Sequence, residues 1–176
     1  MQPLCLLIIA LITMQSYTLV DFQQNSNPEN WTIVDDVVMG GRSSGSFYIS
    51  DEGYGVFQGS VSLENNGGFS SLRYRFKKIT TKPYSKIVLR VKGDGKTFQF
   101  RIKTKASDYY SFISYFDTSG DWETIEISLN EMYPAFRGRT LNIPNFSSGP
   151  IEELAFLIGN KKAESFKLEI DTISLK

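Results

Sequence analysis

Alternation of apolar and polar residues with a period of two is the feature that most limits the fold of this chain. In "KIVLRVKG", Ile87, Leu89 and Val91 occupy every second position. The segments "TFQFRIKT", "WETIEISL" and "FKLEIDTI" repeat the pattern. Successive side chains of a β-strand point to opposite faces, so this spacing predicts half-buried antiparallel strands, with one face on a core and one in water.

Further segments have the composition of strands, namely "YTLVDF", "GSFYIS", "GVFQGSVSL", "FSSLRYRF", "YYSFISYF" and "ELAFLIG". Gly, Asn, Asp or Pro separates them, and no helical spacing persists beyond a turn or two, at "LNEMY". The chain has 176 residues, of which 41% are hydrophobic, enough for one substantial core. The sequence therefore predicts a single all-β domain, a sandwich or jelly roll of antiparallel sheets.

The N-terminal run from Leu4 to Ile12 is apolar but far shorter than the roughly 20 residues that span a bilayer. We interpret residues 1–16 as a signal peptide, although no Lys or Arg precedes the run, and residues 17–176 as the mature domain. The alternative is that this apolar run forms a buried first strand of the domain. A cleaved leader implies an exported or periplasmic protein, and an uncleaved one a membrane-associated or cytoplasmic protein.

Missing residue types narrow the possible chemistry. The chain has no His and a single Cys, Cys5, which excludes His-based triads, Cys nucleophiles, and zinc or haem sites built from its own His and Cys. No run resembles a Ca²⁺-binding loop, so we predict no metal and no cofactor. Adjacent acids such as Glu152 and Glu153 do not by themselves place two carboxylates across a cleft, so we predict a non-enzymatic protein.

Charge balance argues against one class of partner. The 19 basic and 19 acidic residues cancel, whereas nucleic-acid binding relies largely on clustered Lys and Arg that neutralise phosphates. We therefore predict no nucleic-acid partner.

The stretch "WTIVDDVVMGGRSSGSF" forms a polar, glycine-rich loop between apolar flanks typical of strands. It lacks the Gly-Lys-Ser/Thr ending of a phosphate-binding loop. The simplest interpretation is that Gly40, Gly41 and Gly45 supply backbone with φ > 0 or a bulge, while the acids and Ser43 bind loop amides. The alternative is a binding surface, for which the candidate residues are Asp35, Asp36, Met39, Gly40, Gly41, Arg42 and Ser43.

Two further stretches are candidates for the same surface. In "SLENNGGFSSLRYRF", an Asn-Asn-Gly-Gly turn between two strand-like segments predicts a hairpin of primed turn type. "YPAFRGRTLNIPNFSSGPIEEL" looks like a long irregular loop, either functional or covering one end of the core. Their candidate binding residues are Asn65, Asn66, Gly68, Phe69, Arg73, Arg137 and Arg139.

Several of these motifs together resemble the complex I intermediate-associated protein 30 family: "WTIVDDVVMGGRSSGSF", "VSLENNGGFSSLR", "LRVKGDGKTF", "PAFRGR" and "FKLEIDTISL". The resemblance extends from about Tyr17 to Lys176 and implies a galactose-binding-like β-sandwich. Mitochondrial members of the family act as assembly factors for NADH:ubiquinone oxidoreductase. The leader is unlike an Arg- and Ser-rich transit peptide, which suggests a bacterial member outside the cytoplasm.

Two functional hypotheses follow. The resemblance implies an assembly factor or chaperone-type adaptor that binds protein clients, with respiratory-complex subunits as the suggested client and membrane contact only through that client. Met39 and Arg42 would suit such a surface, because Met adapts to varied apolar shapes and Arg is enriched at interfaces. The alternative is a carbohydrate-binding module of the envelope, with glycan contacts from the aromatic side chains of Trp31, Trp122, Tyr109 and Tyr110.

Overall fold

The computed structural model describes residues 16–24 and 27–176, so nearly all of the predicted leader lies outside the described residues. Each segment predicted as a strand overlaps an observed strand. The strands are β1 (Tyr17–Asp21), β2 (Trp31–Asp35), β3 (Ser44–Ile49), β4 (Gly55–Val61), β5 (Ser70–Thr80), β6 (Lys86–Lys92), β7 (Thr97–Lys103), β8 (Ser111–Asp117), β9 (Trp122–Ser128), β10 (Tyr133–Phe136), β11 (Arg139–Thr140), β12 (Pro150–Ile158) and β13 (Glu164–Leu175).

Helical structure in the described part of the chain is limited to four short 3-10 helices. They span Pro28–Asn30, Asp36–Met39, Glu64–Asn66 and Leu129–Glu131. The last coincides with the turn expected at "LNEMY". Across residues 16–24 and 27–176, no helix has the length and apolar character needed to span a bilayer.

The strands form two antiparallel sheets. One has six strands in the order β3-β4-β13-β6-β9, with β1 paired to the C-terminal half of β13. The other has seven strands in the order β11-β10-β8-β7-β12-β5-β2. The predicted all-β sandwich of two antiparallel sheets is therefore confirmed.

The core lies between the sheets and follows the period-two pattern. Ile87, Leu89 and Val91 on β6 are fully buried, and Phe98 and Phe100 on β7 are buried opposite them. The prediction that the other face of each strand meets water is wrong for β7. Its outward-facing Gln99 is buried, because the outer face of the seven-stranded sheet forms the floor of a groove.

The predicted hairpin between β4 and β5 is also wrong. Asn65 and Asn66 do have the positive φ values of a primed turn, 55° and 59°. However, β4 lies between β3 and β13 in one sheet, whereas β5 lies between β12 and β2 in the other. The turn chemistry sets the local backbone conformation, but both edges of β4 are taken by other strands, so this connection crosses between sheets.

The span predicted as a long irregular loop begins with a short hairpin, β10 and β11, that extends the seven-stranded sheet. Further along the same span, the side chain of Phe146 enters the core. The burial of Phe146 agrees with the interpretation that this segment covers part of the core. The hairpin borders the groove, and a functional role for it stays a prediction.

Candidate functional site

The opening loop is built around one buried carboxylate. Asp36 is fully buried, and its Oδ1 accepts a hydrogen bond from the backbone N–H of Ser43 at 2.9 Å. Its Oδ2 accepts from the Ser43 hydroxyl and from the backbone N–H groups of Gly68 at 2.6 Å and Phe69 at 3.2 Å. We call this arrangement of Asp36, Ser43, Gly68 and Phe69 the Asp36 clamp, because it ties the two glycine-rich loops together.

The glycines of both loops leave room for the clamp. A Cβ atom on Gly41 or Gly67 would overlap the Asp36 carboxylate. Of the three glycines expected to supply φ > 0 or a bulge, Gly40 has a φ of 89°, whereas Gly41 and Gly45 have no positive φ, and Gly45 pairs with Gly59 in regular register. That part of the prediction is wrong: Gly41 is required for close packing on Asp36, and Gly45 for close packing on the Ser70 hydroxyl.

The hydrogen bonds also set the ionisation of the clamp. Burial alone would raise the pKa of Asp36, but the bonds from the Ser43 side chain and from the backbone of Gly68, Ser43 and Phe69 outweigh it. The pKa of Asp36 therefore lies below its ordinary value of 3.8, and the carboxylate is charged at neutral pH. The expectation that acids and Ser43 bind loop amides is confirmed, because the Ser43 hydroxyl also accepts a hydrogen bond from the Ser62 N–H at 3.0 Å. The neighbouring Asp35 does the same, accepting from the Gly45 N–H at 2.9 Å.

The clamp presents an apolar tip to solvent. The 3-10 helix Asp36–Met39 starts at the buried acid and leaves Val37, Val38 and Met39 exposed at 59%, 73% and 52%. We call these three residues the apolar tip. The Asn65 amide donates to the Gly40 carbonyl at 3.1 Å, which joins the second loop to this tip.

Beside the tip lies a groove of about 530 Å³ on the outer face of the seven-stranded sheet. The floor comes from β5, β12, β7 and β8, and the hairpin β10–β11 with the loop before β8 forms the far wall. Val38 and Met39 form part of the near wall, as do Gly68 and Phe69. The Asp36 clamp therefore fixes one wall of the groove.

Basic side chains dominate the charge of the groove. Arg73 on β5 and Arg101 on β7 flank the small Ala155 of β12, which pairs with both. We call Arg73 and Arg101 the groove floor, because both line the groove, whereas Ala155 is buried. Neither guanidinium forms a salt bridge with any carboxylate in residues 16–24 and 27–176, and the remaining residues contain no Asp or Glu. Arg101 instead donates to the Gln99 amide oxygen, from Nε at 3.0 Å and from Nη2 at 2.5 Å.

The single acid that lines the groove is already paired. Glu153 is buried, and its Oε2 lies 2.7 Å from Arg75 Nε, while its Oε1 lies 3.8 Å from Lys103 Nζ. Lys103 also donates to the Asp108 carbonyl at 2.7 Å. The uncompensated positive charge on the floor therefore belongs to Arg73 and Arg101.

The pKa values of Arg101 and Lys103 reflect burial first and the neighbouring ionisable groups second. Burial lowers the pKa of Arg101 from 12.5 to about 10; Tyr115 opposes that shift, and Arg73 adds to it. Burial also lowers the pKa of Lys103, and nearby Glu153 only partly counteracts it. Arg101 remains protonated at neutral pH, but burial disfavours the charged form of both side chains.

Aromatic side chains line the far wall. Tyr109 is 65% exposed and meets Phe136 edge-on, with ring centroids 5.3 Å apart. The Arg137 guanidinium lies over the Phe136 ring at 5.3 Å. The tryptophans considered for glycan contacts lie outside the groove: Trp31 is in the core, stacked on Tyr74, and Trp122 is on the other sheet.

A family model, complex I intermediate-associated protein 30, matches residues 20–170. The chain belongs to this family. A relative from Drosophila melanogaster, "Complex I intermediate-associated protein 30, mitochondrial", is 24% identical over 181 residues that cover 89% of this chain. The chain spans 61% of the length of that relative.

Solved structures similar to this complex I intermediate-associated protein 30 domain include two family 11 carbohydrate-binding modules. The family 11 module of a cellulosomal cellulase from Clostridium thermocellum has a TM-score of 0.67 at 19% identity, covering 93% of this chain and 95% of that one. A family 11 module from the same organism, in complex with a β-1,3-1,4-mixed-linked tetrasaccharide, has a TM-score of 0.65 at 19% identity, covering 91% and 94%. At this identity the likeness shows the fold, a galactose-binding-like jelly roll.

The candidate residues of this family member separate into three groups. The groove is lined by Met39, Gly68, Phe69, Arg73 and Arg137. The interior of the two loops holds Asp35, Asp36, Gly41 and Ser43. The exposed surface outside the groove carries Gly40, Arg42, Asn65, Asn66 and Arg139.

Sequence reasoning missed part of the groove, namely Gln99, Arg101, Lys103 and Glu153. A signal was present in "TFQFRIKT", where every residue opposite the apolar face of β7 is polar or basic. The same holds for Arg73 and Arg75 in "SLRYRF". Two basic strand faces in one sheet would have predicted a charged outer surface, but the sequence does not show that β12 lies between them.

Proposed function

We propose that this protein is a non-enzymatic assembly factor that binds protein clients through the apolar tip and the adjoining groove. We further propose that its clients are intermediates of respiratory complex I and that it acts outside the cytoplasm. Family membership supports the assembly role, and the single observation that carries the binding site is the exposed tip. Three adjacent apolar side chains held beside a groove are typical of an interaction surface, and Met adapts well to varied apolar partners.

Affinity capture tests this proposal. The full chain is the bait for detergent-solubilised membranes of the source organism, beside a variant carrying Val38→Gln and Met39→Gln. Ile143→Gln is the matched control, because Ile143 is an exposed aliphatic residue that does not line the groove. We expect the wild type and the control to retain NADH dehydrogenase subunits and the tip variant to retain at least tenfold less.

Two results would count against the proposal. Equal retention by a folded tip variant would show that the tip is not the binding site. Failure of the wild type to retain any dehydrogenase subunit, with the bait folded, would refute the complex I role itself.

A second candidate function is glycan binding, favoured by the exposed Tyr109 and its edge contact with Phe136 on the groove wall. Because neither tryptophan lines the groove, fluorescence is a poor reporter, and isothermal titration with a panel of soluble glycans is the better measurement. Binding that is lost in Tyr109→Ala but kept in Tyr48→Ala, an exposed tyrosine of the other sheet, would support this function. No heat of binding across the panel would reject it.

A further inference from the structure

We propose that the groove floor binds the side-chain carboxylates of an extended acidic segment of a protein client. This inference rests on the proposed function, since it specifies which part of a client the groove selects. The apolar tip could bind a client even if the groove floor bound no carboxylate. The evidence comes from the charges, the shape and the two walls of the groove.

The charges define a site for an anion. Four basic side chains line the groove, Arg73, Arg101, Lys103 and Arg137, against one acid, Glu153. This excess occurs in a chain whose overall formal charge is zero. Glu153 is taken by Arg75 and Lys103, so Arg73 and Arg101 keep unused donors that face the groove.

The cost of burying unpaired charges also favours an anion in the groove. Partly buried guanidinium groups without a carboxylate partner carry a desolvation cost that an incoming anion would offset. Burial lowers the pKa of Arg101, which reflects that cost, and repulsion from Arg73 lowers it further. Arginine binds planar carboxylates through two parallel hydrogen bonds, and Arg73 and Arg101 lie at the same level of the sheet, one on each side of β12, because both pair with Ala155.

The shape suits an extended chain. From β2 to β10 the sheet contains five strand-to-strand steps, and at about 4.8 Å each the groove would run for about 24 Å. An extended peptide of about seven residues has that length, and its alternate side chains would point to the floor.

The walls favour a peptide over an acidic glycan. Val38 and Met39 form an aliphatic end, which fits aliphatic side chains better than hydroxyl-covered sugar rings. Tyr109 and Phe136 at the other end accept aromatic or aliphatic groups. The groove therefore fits an acidic segment flanked by apolar residues, which a protein client supplies and an acidic glycan does not.

Two matched peptides test the inference with the full chain. One is the blocked heptapeptide Leu-Glu-Ala-Glu-Ala-Glu-Leu and the other its neutral counterpart Leu-Gln-Ala-Gln-Ala-Gln-Leu. Binding is followed by NMR through the backbone amides and the Nε–Hε signals of Arg73 and Arg101. We expect the acidic peptide to shift both arginine signals and to bind at least tenfold more tightly than the neutral one.

Variants assign that preference to the floor. We expect Arg73→Gln and Arg101→Gln each to weaken the acidic peptide at least tenfold, and Arg73→Lys to restore part of the loss, because Lys keeps the charge but not the two-pronged geometry. Arg42→Gln is the matched control, because Arg42 is an exposed arginine outside the groove that pairs with Glu64. Backbone amide spectra establish that each variant is folded.

Three outcomes would overturn the inference: equal binding of the two peptides, no loss in folded Arg73→Gln and Arg101→Gln, or binding of trigalacturonate without binding of the acidic peptide. The last outcome would identify an acidic glycan as the ligand. Client capture separates this failure from failure of the proposed function. If the tip variant loses the client while the Arg73→Gln/Arg101→Gln double variant retains it, the assembly role stands and this inference is wrong.

Discussion

The Asp36 clamp buries a charge fully and the groove floor buries two charges in part, but the two regions differ in how those charges are paired. The Asp36 carboxylate receives hydrogen bonds from one hydroxyl and three backbone N–H groups. Arg73 and Arg101 have no carboxylate partner among the residues described. The two regions are neighbours, because Gly68 and Phe69 belong to the clamp and also line the groove.

The difference separates a structural role from a binding role for charged residues. A buried charge whose hydrogen bonds are all satisfied stabilises the local structure, and removing it leaves its donors unpaired. A charge left without a partner in a groove contributes little to folding and remains available for a ligand. The loop that looks most functional in the sequence is thus mainly structural, while the strand faces behind it carry the free charge.

Removing the Asp36 side chain should destabilise the protein more than any other change considered for these two regions. Asp36→Ala should lower the free energy of unfolding by about 3 kcal/mol, because several buried N–H groups lose a charged acceptor. Urea denaturation measures the change. Asp51→Ala, at an exposed turn position, is the control and should change stability by less than about 0.5 kcal/mol. Similar small effects for both variants would refute the structural role of Asp36.

A second, somewhat smaller effect concerns the glycines around the clamp. Gly41→Ala should cost about 2 kcal/mol, because the new methyl group would displace the Asp36 carboxylate. Gly40→Ala should cost about 1 kcal/mol, because its φ of 89° disfavours Ala although the space around it is open. The comparison of the two variants by thermal unfolding distinguishes packing from backbone strain. A larger cost for Gly40→Ala would contradict the packing argument.

Acid should weaken the clamp selectively. Because the pKa of Asp36 is lowered in the folded state, its ionisation stabilises the fold above the ordinary value of 3.8 and ceases to do so as the pH falls through the lower, folded-state value. The difference in unfolding free energy between the wild type and Asp36→Asn should therefore shrink below about pH 3.8. Urea denaturation of both proteins from pH 7 down to pH 2.5 measures it, and a constant difference would contradict the assignment.

How far the sequence predicts these two regions depends on the distance between the interacting residues. The strands and their core faces follow from local alternation, as "KIVLRVKG" shows. The role of Asp36 was partly predictable, because Ser43 lies seven residues away in the same loop. Its bonds to Gly68 and Phe69 were not, because they join segments more than 30 residues apart.

The groove floor was the least predictable part. Arg73 was a candidate because it follows a glycine-rich loop, but Arg101 was not, because it lies within a regular strand. Their proximity depends on β12, which enters the sheet between β5 and β7 from much later in the chain. Such long-range pairing is set by the complete fold and has no local sequence signal.

Replacing Arg73 should barely change stability, in contrast to the replacement of Asp36. Arg73→Gln should change the free energy of unfolding by less than about 0.5 kcal/mol, because Arg73 has no carboxylate partner to lose and its removal relieves repulsion of Arg101. Urea denaturation at pH 7 measures the change, with Arg42→Gln, which loses one exposed ion pair, as the reference for an ordinary surface arginine.

A cost approaching that of Asp36→Ala would show that Arg73 supports the fold, and the groove floor would then resemble the clamp. A negligible cost would mean that a partly buried arginine is retained at this position for a reason other than stability, which is what a binding role requires.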